Sequence, residues 1–169
     1  MATAELTASD YIQHHLTNLT LGWLPDKGLV FAHNAEEAAA MGFWALHVDS
    51  LLWSVGLGVL FLIGFRKVAD SVTSGVPGKA QNFIEWIIDF VNENVRGSFS
   101  AKNDMVAPLA LTIFAWVFLM NLMELVPVDL IPWAFGQFMG LFGADPHHVF
   151  MRVVPTTDPN ITFGMAIAV

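Results

Sequence analysis

Cysteine is absent from the 169 residues, and charged side chains are scarce, at 13% of the chain. Without cysteine the protein has no disulfide, thiolate metal site or thiol nucleophile. Basic residues are especially few, since seven Lys and Arg stand against fifteen Asp and Glu, for a net charge of -8. Such a chain has little with which to neutralise phosphates, which argues against nucleic acid as a partner.

The first ten residues, MATAELTASD, contain neither a base nor an apolar core. We therefore expect no cleavable secretory signal, and we expect the first spanning segment to direct membrane insertion. Apolar residues, in contrast, make up 55% of the chain, which is above the usual range for a soluble domain. This composition and its long apolar runs predict an all-α membrane protein.

The first forty residues are mixed and polar, and we predict a short helix at residues 10–22 and a loop at residues 25–34. Asp10, His14 and His15 are side chains of the kind that bind metals. Adjacent helical residues point about 100° apart, however, and share one ion poorly. We therefore favour a surface helix over a metal site, and we expect no metal or cofactor.

Residues 41–67 predict a first transmembrane helix. His47 and Asp49 lie near its start, but Ser50 to Phe65 carries no charge. About 20 apolar residues are enough for a helix to cross a bilayer, and this segment meets that length.

Orientation follows from the basic residues. Five of the seven lie between Phe65 and Met105, namely Arg66, Lys67, Lys79, Arg96 and Lys102. Basic residues concentrate on the cytoplasmic side of a membrane, so we place residues 68–104 in the cytoplasm. The amino-terminal segment, residues 1–40, is then periplasmic.

Within the cytoplasmic stretch, residues 80–96 have the periodicity of an amphipathic helix. Apolar side chains fill an arc of about 200°, and the opposite face carries Glu85, Asp89, Asn92 and Glu93. Three acids without a base match anionic lipid poorly, so this polar face is at least as well suited to a protein partner as to lipid headgroups. Two positions stay open for this helix: along the cytoplasmic interface, or docked on its own bundle.

Residues 105–128 predict a second transmembrane helix with a polar far end. The run from Met105 to Met123 carries no formal charge, but Asn121, Glu124 and Asp129 lie within nine positions of one another. A single carboxylate at this depth is offset by about a dozen strongly apolar residues, so the segment still inserts.

The spacing of these residues predicts a ladder of polar groups. Asn121 and Glu124 are three positions apart and share a helix face. Pro127 removes the backbone hydrogen bond to Met123 and leaves that carbonyl free. If the helix persists, Asp129 lies about 7 Å further along the axis.

Such a ladder suits proton transfer. Desolvation in a low-dielectric cleft makes a carboxyl easier to protonate near neutral pH, so the group can load and unload protons. The alternative is that the span simply reaches the outer interface at Glu124, where acids are tolerated. Spacing alone leaves both interpretations open.

Residues 129–150 contain a charge-free run of 15 residues, LIPWAFGQFMGLFGA, which is too short for a confident span. We predict a helical hairpin or re-entrant segment on the outer side. His147 and His148 follow this segment. They are candidate proton relays, but exposed loop histidines are commoner at such positions, and we favour that interpretation.

Residues 151–169 begin a new apolar run, for which Thr156 or Asp158 is the predicted helix cap. We interpret it as the start of a further transmembrane helix that is not completed here.

Several stretches together carry a family resemblance: DYIQHHLTNL, HVDSLLWSVGLGVLFLIGFRKVA, TSGVPGK, APLALTIFAWVFLMNLMELVPVDLIP and RVVPTTDPNIT. They resemble the amino-terminal part of subunit a of proteobacterial F-type ATP synthase. The resemblance implies a multi-pass stator subunit of the bacterial inner membrane. Such a subunit conducts protons between the periplasm and the carboxylates of a rotating c-ring. It is not itself catalytic, because the whole complex is the enzyme.

The resemblance also implies residue roles. Asn121, Glu124 and Asp129 match the motif that lines the periplasmic half-channel, where relatives often carry Asp at the position of Glu124. Asp49 matches an acid near the same entrance. The helix at residues 80–96 is similar to the one that meets the b subunits of the peripheral stalk, and membrane lipid is a further implied partner.

One feature of the family has no match. The family's essential arginine lies within a span, whereas Arg66, Arg96 and Arg152 flank spans, so none of them matches it. We expect that arginine beyond the end of this sequence. We therefore expect a fold that is truncated before the last helices. Two alternatives remain: a structural membrane anchor for the stalk, and the front half of an ion-coupled secondary transporter, although no inverted repeat is visible. Few hydroxyl ligands accompany the carboxyls, which favours H⁺ over Na⁺.

Overall fold

The computed structural model describes residues 17–98, 103–127, 129–141 and 151–169. This part of the chain is mostly helical, consistent with an all-α membrane protein. Its α-helices are α1 Ala35–Ala40, α2 Val48–Ala69, α3 Lys79–Ser98, α4 Val106–Leu122, α5 Leu130–Gly140 and α6 Pro159–Ala168. The chain divides into two compact units, one formed by Met1–Ser54 with Asn121–Val169 and the other by Val55–Met120.

A small antiparallel sheet precedes α2. Its strands are β1 Thr20–Leu24, β2 Gly28–Phe31 and β3 Leu46–His47, in the order β2-β1-β3. Leu24 pairs with Gly28 across the tight turn, and Gly28 has a φ of 74°, which glycine adopts without steric penalty. The loop predicted for residues 25–34 is therefore wrong at β2, and the helix predicted for residues 10–22 is wrong at its last residues. The predicted helical part before residue 17, with Asp10, His14 and His15, lies outside the described residues.

Helix α1 packs on this sheet. Leu24, Ala32 and Met41 form a small apolar core. Gly22 is required at the contact, because a Cβ atom at this position would lie 2.7 Å from Met41 side-chain atoms. Sequence periodicity missed the sheet because its strands are short and their pairing depends on this packing.

Among the described residues, two helical segments are long and apolar enough to cross a membrane, Val48–Ala69 and Val106–Leu125. The first has 22 residues and is about 33 Å long, slightly more than the thickness of a bilayer core. Only 28% and 11% of their apolar windows are buried. Core helices of a soluble protein would be mostly buried, so this exposure favours a lipid environment. The first helix begins later than the predicted residue 41, because the preceding residues form a 3₁₀ turn and β3.

Helix α3 contains the amphipathic stretch predicted at residues 80–96. Part of its apolar face packs within the unit Val55–Met120, since the ring of Phe90 lies 5.8 Å from that of Phe114 on α4. Phe83 and Trp86 on the same face remain exposed. Among the described residues of this unit, docking on the bundle therefore accounts for some of the apolar face but not for all of it.

The end of α4 differs from the predicted kink. The α-helix ends at Leu122, a 3₁₀ turn covers Met123–Leu125, and Val126 is extended, with a ψ of 134°. The carbonyl of Met123 accepts a 3.1 Å hydrogen bond from the Val126 N–H, so the prediction that it is free is wrong. Proline disfavours helical geometry at the residue before it, so the helix ends ahead of Pro127 rather than bending there. The rise of about 7 Å predicted for Asp129 therefore does not apply.

The last two helices lie within the predicted segments 129–150 and 151–169. Helix α5 accounts for the first part of 129–150, and residues 142–150, with His147 and His148, lie outside the described residues. Asp158 caps α6 by accepting a 2.9 Å hydrogen bond from the Asn160 N–H, which confirms one of the two predicted caps.

Candidate functional site

Polar side chains that are almost completely buried gather around the first turn of α2. They are Asn18, Thr20, Asp49, Ser50 and Asp158. A buried polar group without a partner costs about 1–3 kcal/mol, so the partners of these groups define the site. We call these residues, together with His47 and Arg152, the polar cluster. All of them belong to the unit Met1–Ser54 with Asn121–Val169.

Asp49 joins three stretches of the chain. Its Oδ2 atom accepts hydrogen bonds from the backbone N–H groups of Leu19, at 2.9 Å, and Arg152, at 2.8 Å. Its Oδ1 atom accepts a 2.8 Å bond from the N–H of Ser50. Hydrogen bonds to an ionised carboxylate are stronger than those between neutral groups. Asp49 therefore connects the segments that contain Leu19 and Arg152 to the start of α2.

Asp158 is the second buried carboxylate, and it lies just before α6. His47 approaches it to 2.5 Å, from Nδ1 to Oδ2, across 111 residues of sequence. Burial raises the pKa of Asp158, but hydrogen bonds from His47, the Asn160 N–H and Ser50 outweigh that effect and leave the pKa below its usual value. Asp158 is therefore an anion at neutral pH.

A chain of hydrogen bonds extends from this carboxylate. Ser50 contacts Asp158 and accepts a 3.0 Å bond from Nδ2 of Asn18. Oδ1 of Asn18 in turn accepts a 3.2 Å bond from Nη1 of Arg152. The network thus begins at one partly exposed side chain, His47, and ends at another, Arg152.

A cavity of about 410 Å³ lies beside the cluster in the same unit. It has room for several water molecules. Its walls are formed by Thr17, Asn18, Thr20, Ala35, Ala38, Gly42, Phe43, Ala45, His47 and Asn160. Water in this space therefore has direct access to the ring of His47.

The four side chains predicted to form a proton path are all in this unit, but they differ in environment. Asn121 accepts a 3.1 Å hydrogen bond from the Thr156 hydroxyl, two residues before Asp158. Glu124 lies in the 3₁₀ turn after α4, and Asp129 lies directly before α5; both side chains are exposed. Asp49, in contrast, is 1% exposed.

The sequence did not reveal the partners inside the polar cluster. In the sequence, His47 is one of two ionisable residues near the start of a long apolar segment, and Arg152 is a base that flanks a span. The available signal was the polar string HVDS at the start of a long apolar helix, where each polar side chain needs a partner.

Metal binding has no visible site in the described ranges. No group of three or more His, Asp or Glu side chains is placed there to hold an ion. A second cavity, of about 430 Å³ and with entirely apolar walls, lies among α2, α3 and α4 in the unit Val55–Met120. It offers no ligand atoms for a metal or a polar cofactor.

Two long exposed apolar helices and a buried ionisable network are typical of a multi-pass membrane protein with charged groups held beside a span. Residues 51–169 match the family described as ATP synthase A chain, and the chain belongs to that family. The resemblance stated from the sequence is thereby confirmed. The family match excludes the alternative interpretation as the front half of a secondary transporter.

Curated relatives agree with this assignment. The chain is 59% identical over 165 residues to ATP synthase subunit a of Psychrobacter cryohalolentis, an alignment that covers 98% of this chain and 57% of that protein. It is 57% identical to ATP synthase subunit a of Ruthia magnifica, covering 97% and 58%. It is 55% identical to ATP synthase subunit a 2 of Hahella chejuensis, covering 100% and 59%. The chain thus spans a little more than half the length of these relatives.

Proposed function

We propose that this chain is part of the proton-translocating stator subunit of a bacterial F-type ATP synthase and forms the periplasmic inlet to the rotating c-ring. The family match across residues 51–169 carries the proposal. The relatives are named as ATP synthase subunit a. Two membrane-length helices and an ionisable network in the unit that contains Asn121 support an ion path rather than a simple anchor.

Orientation in the inner membrane follows from charge. Most of the bases lie between Phe65 and Met105, which favours a cytoplasmic location for that stretch. The polar cluster, at the opposite end of α2, is then periplasmic. Helix α3 would lie on the cytoplasmic side, with Glu85, Asp89 and Glu93 available to the b subunits of the peripheral stalk.

Within the inlet we propose distinct roles for the four predicted residues. Glu124 and Asp129 are exposed carboxylates that exchange protons with water. Asn121 passes protons inward through bound water, since an amide bridges waters without trapping charge. Asp49 already accepts three backbone hydrogen bonds. Its role is therefore mainly to hold the entrance in shape.

The test replaces Glu124 and Asp129 together with Leu in the complete subunit. We expect ATP-driven proton pumping by inverted vesicles to be abolished while the complex still assembles. The matched control, Asp26→Leu with Glu36→Leu, removes two exposed acids from the same unit and should leave pumping unchanged. Normal pumping by the Glu124 and Asp129 variant would favour the alternative function, a structural anchor whose acids only mark the membrane boundary.

A further inference from the structure

His47 lies between an open cavity and a buried carboxylate. Its ring lines the cavity of about 410 Å³, and its Nδ1 atom lies 2.5 Å from Oδ2 of Asp158. About 30% of the His47 side chain is exposed, compared with 2% of Asp158. The imidazole therefore faces the open cavity on one side and the carboxylate on the other.

We propose that His47 is a proton-uptake residue of the inlet, which takes protons from water in the cavity and passes them to Asp158. This inference rests on the proposed function and adds a residue to its path. Imidazole suits the role because it is the side chain that most often transfers protons in proteins. Its two ring nitrogens allow a proton to be bound at one atom and released from the other.

The transfer is balanced. A proton from cavity water binds the second ring nitrogen, and the proton on Nδ1 moves to Oδ2 of Asp158. The products are a neutral imidazole and a carboxylic acid, so one proton enters and one is delivered. Because its pKa is lowered, Asp158 holds the proton only briefly and becomes a carboxylate again when it releases the proton to a water molecule of the inlet. The ring then recovers its first tautomer by turning about its Cβ–Cγ bond so that Nδ1 reaches the cavity, where Nδ1 takes a proton from water as Nε2 releases one, and by turning back.

The delivered proton arrives beside the predicted path. Asp158 follows Thr156 by two residues, and the Thr156 hydroxyl is hydrogen-bonded to Asn121. The backbone N–H of Asp158 is bonded to the carbonyl of Pro155 at 3.0 Å, which holds this short segment in one turn. His47 and Asn121 are thus connected through residues 156–158.

His47→Gln in the complete subunit separates proton uptake from structure. Glutamine keeps an N–H donor for Asp158 but does not titrate. We expect assembly to be retained and passive proton conduction by reconstituted vesicles to fall about tenfold or more. His33→Gln is the matched control, since His33 is an exposed histidine of the same unit. Wild-type conduction by the His47→Gln complex would overturn the proposal.

Chemical rescue supplies the second test. His47→Gly should conduct poorly, and added imidazole should restore much of the rate. Pyrazole has the same size but is not protonated near neutral pH, so it should restore nothing. Equal rescue by both compounds, or failure of both variants to assemble, would make His47 a structural clamp instead. A wild-type complex that conducts no protons would contradict the proposed function itself, whereas an active wild type with an unimpaired His47→Gln complex contradicts only this inference.

Discussion

The Nδ1 atom of His47 lies 2.5 Å from the Oδ2 atom of Asp158, and this contact joins the residue before α2 to the residue that caps α6. Asp158 is almost completely buried, so the pair is screened by water and salt less than a surface ion pair. This contact therefore connects the starts of two apolar helices.

Asp158→Asn tests the charge in that contact. Asparagine is also a good helix cap, so the change removes the charge and keeps the cap. Burial raises the pKa of Asp158, but the hydrogen bonds from His47, Asn160 and Ser50 lower it by more than burial raises it. The pKa in the folded state therefore lies below the unfolded value. Such a carboxyl stabilises the fold above its unfolded pKa, and the stabilisation is lost as the pH falls through the folded pKa.

We therefore expect the wild-type chain in detergent to lose thermal stability on acidification below about pH 4. The Asp158→Asn variant should start from a lower Tm at neutral pH and lose less over the same range. Circular dichroism melts of both proteins across this range measure the difference. Parallel curves for the two proteins would contradict a stabilising role of the charge.

Asp49→Ala removes the acceptor for three backbone N–H groups, those of Leu19, Ser50 and Arg152. A buried donor left without a partner costs about 1–3 kcal/mol, and the bonds from Leu19 and Arg152 are only partly buried, so the total loss is a few kcal/mol. We expect little folded protein in membranes and a much lower Tm in detergent. Asp49→Asn keeps one acceptor oxygen and should be intermediate. The exposed Asp26→Ala is the control, and a Tm for Asp49→Ala equal to that of this control would refute the assigned role.

Both long apolar helices were predictable because length and lack of charge are local properties of the sequence. The β-hairpin was not, since its strands are stabilised by packing of Met41 against Gly22 and Leu24. The end of α4 is also encoded locally, by Pro127, but the predicted kink at this proline was wrong. Pro127 restricts the residue before it, and this restriction ended the helix where a kink was predicted.

The candidate site was predictable only in part. Asn121, Glu124 and Asp129 were predicted from spacing and family resemblance, and Asp49 from the resemblance alone. Of these four only Asp49 belongs to the polar cluster, and its partners were not predicted. Contacts such as that of Asp49 with the Arg152 N–H join residues 103 positions apart. No periodicity encodes such a pairing, because it depends on how the helices are arranged in three dimensions.

Gly58→Ala tests a close contact between α2 and α4. A Cβ atom at residue 58 would lie 3.2 Å from Cε2 of Trp116, whereas at Gly64 on the same helix it would meet nothing within 4 Å. Alanine is favoured over glycine in a helix by about 1 kcal/mol. We expect Gly64→Ala to raise the Tm in detergent and Gly58→Ala to show no gain or a loss. Equal gains at both positions would show that Trp116 moves aside without penalty.

Thr156→Val removes the hydroxyl that donates to Asn121 and keeps the shape of the side chain. Thr156→Ser, the control, keeps the hydroxyl. Loss of one such hydrogen bond costs only about 0.5–1.5 kcal/mol, so both variants should assemble and melt at similar temperatures. If Asn121 must be held in one orientation to bridge water, passive proton conduction should nevertheless fall several-fold in Thr156→Val alone. Equal conduction by the two variants in reconstituted vesicles would mean that the orientation of Asn121 does not depend on Thr156. The hydrogen bond would then serve only to connect α4 to the segment before α6.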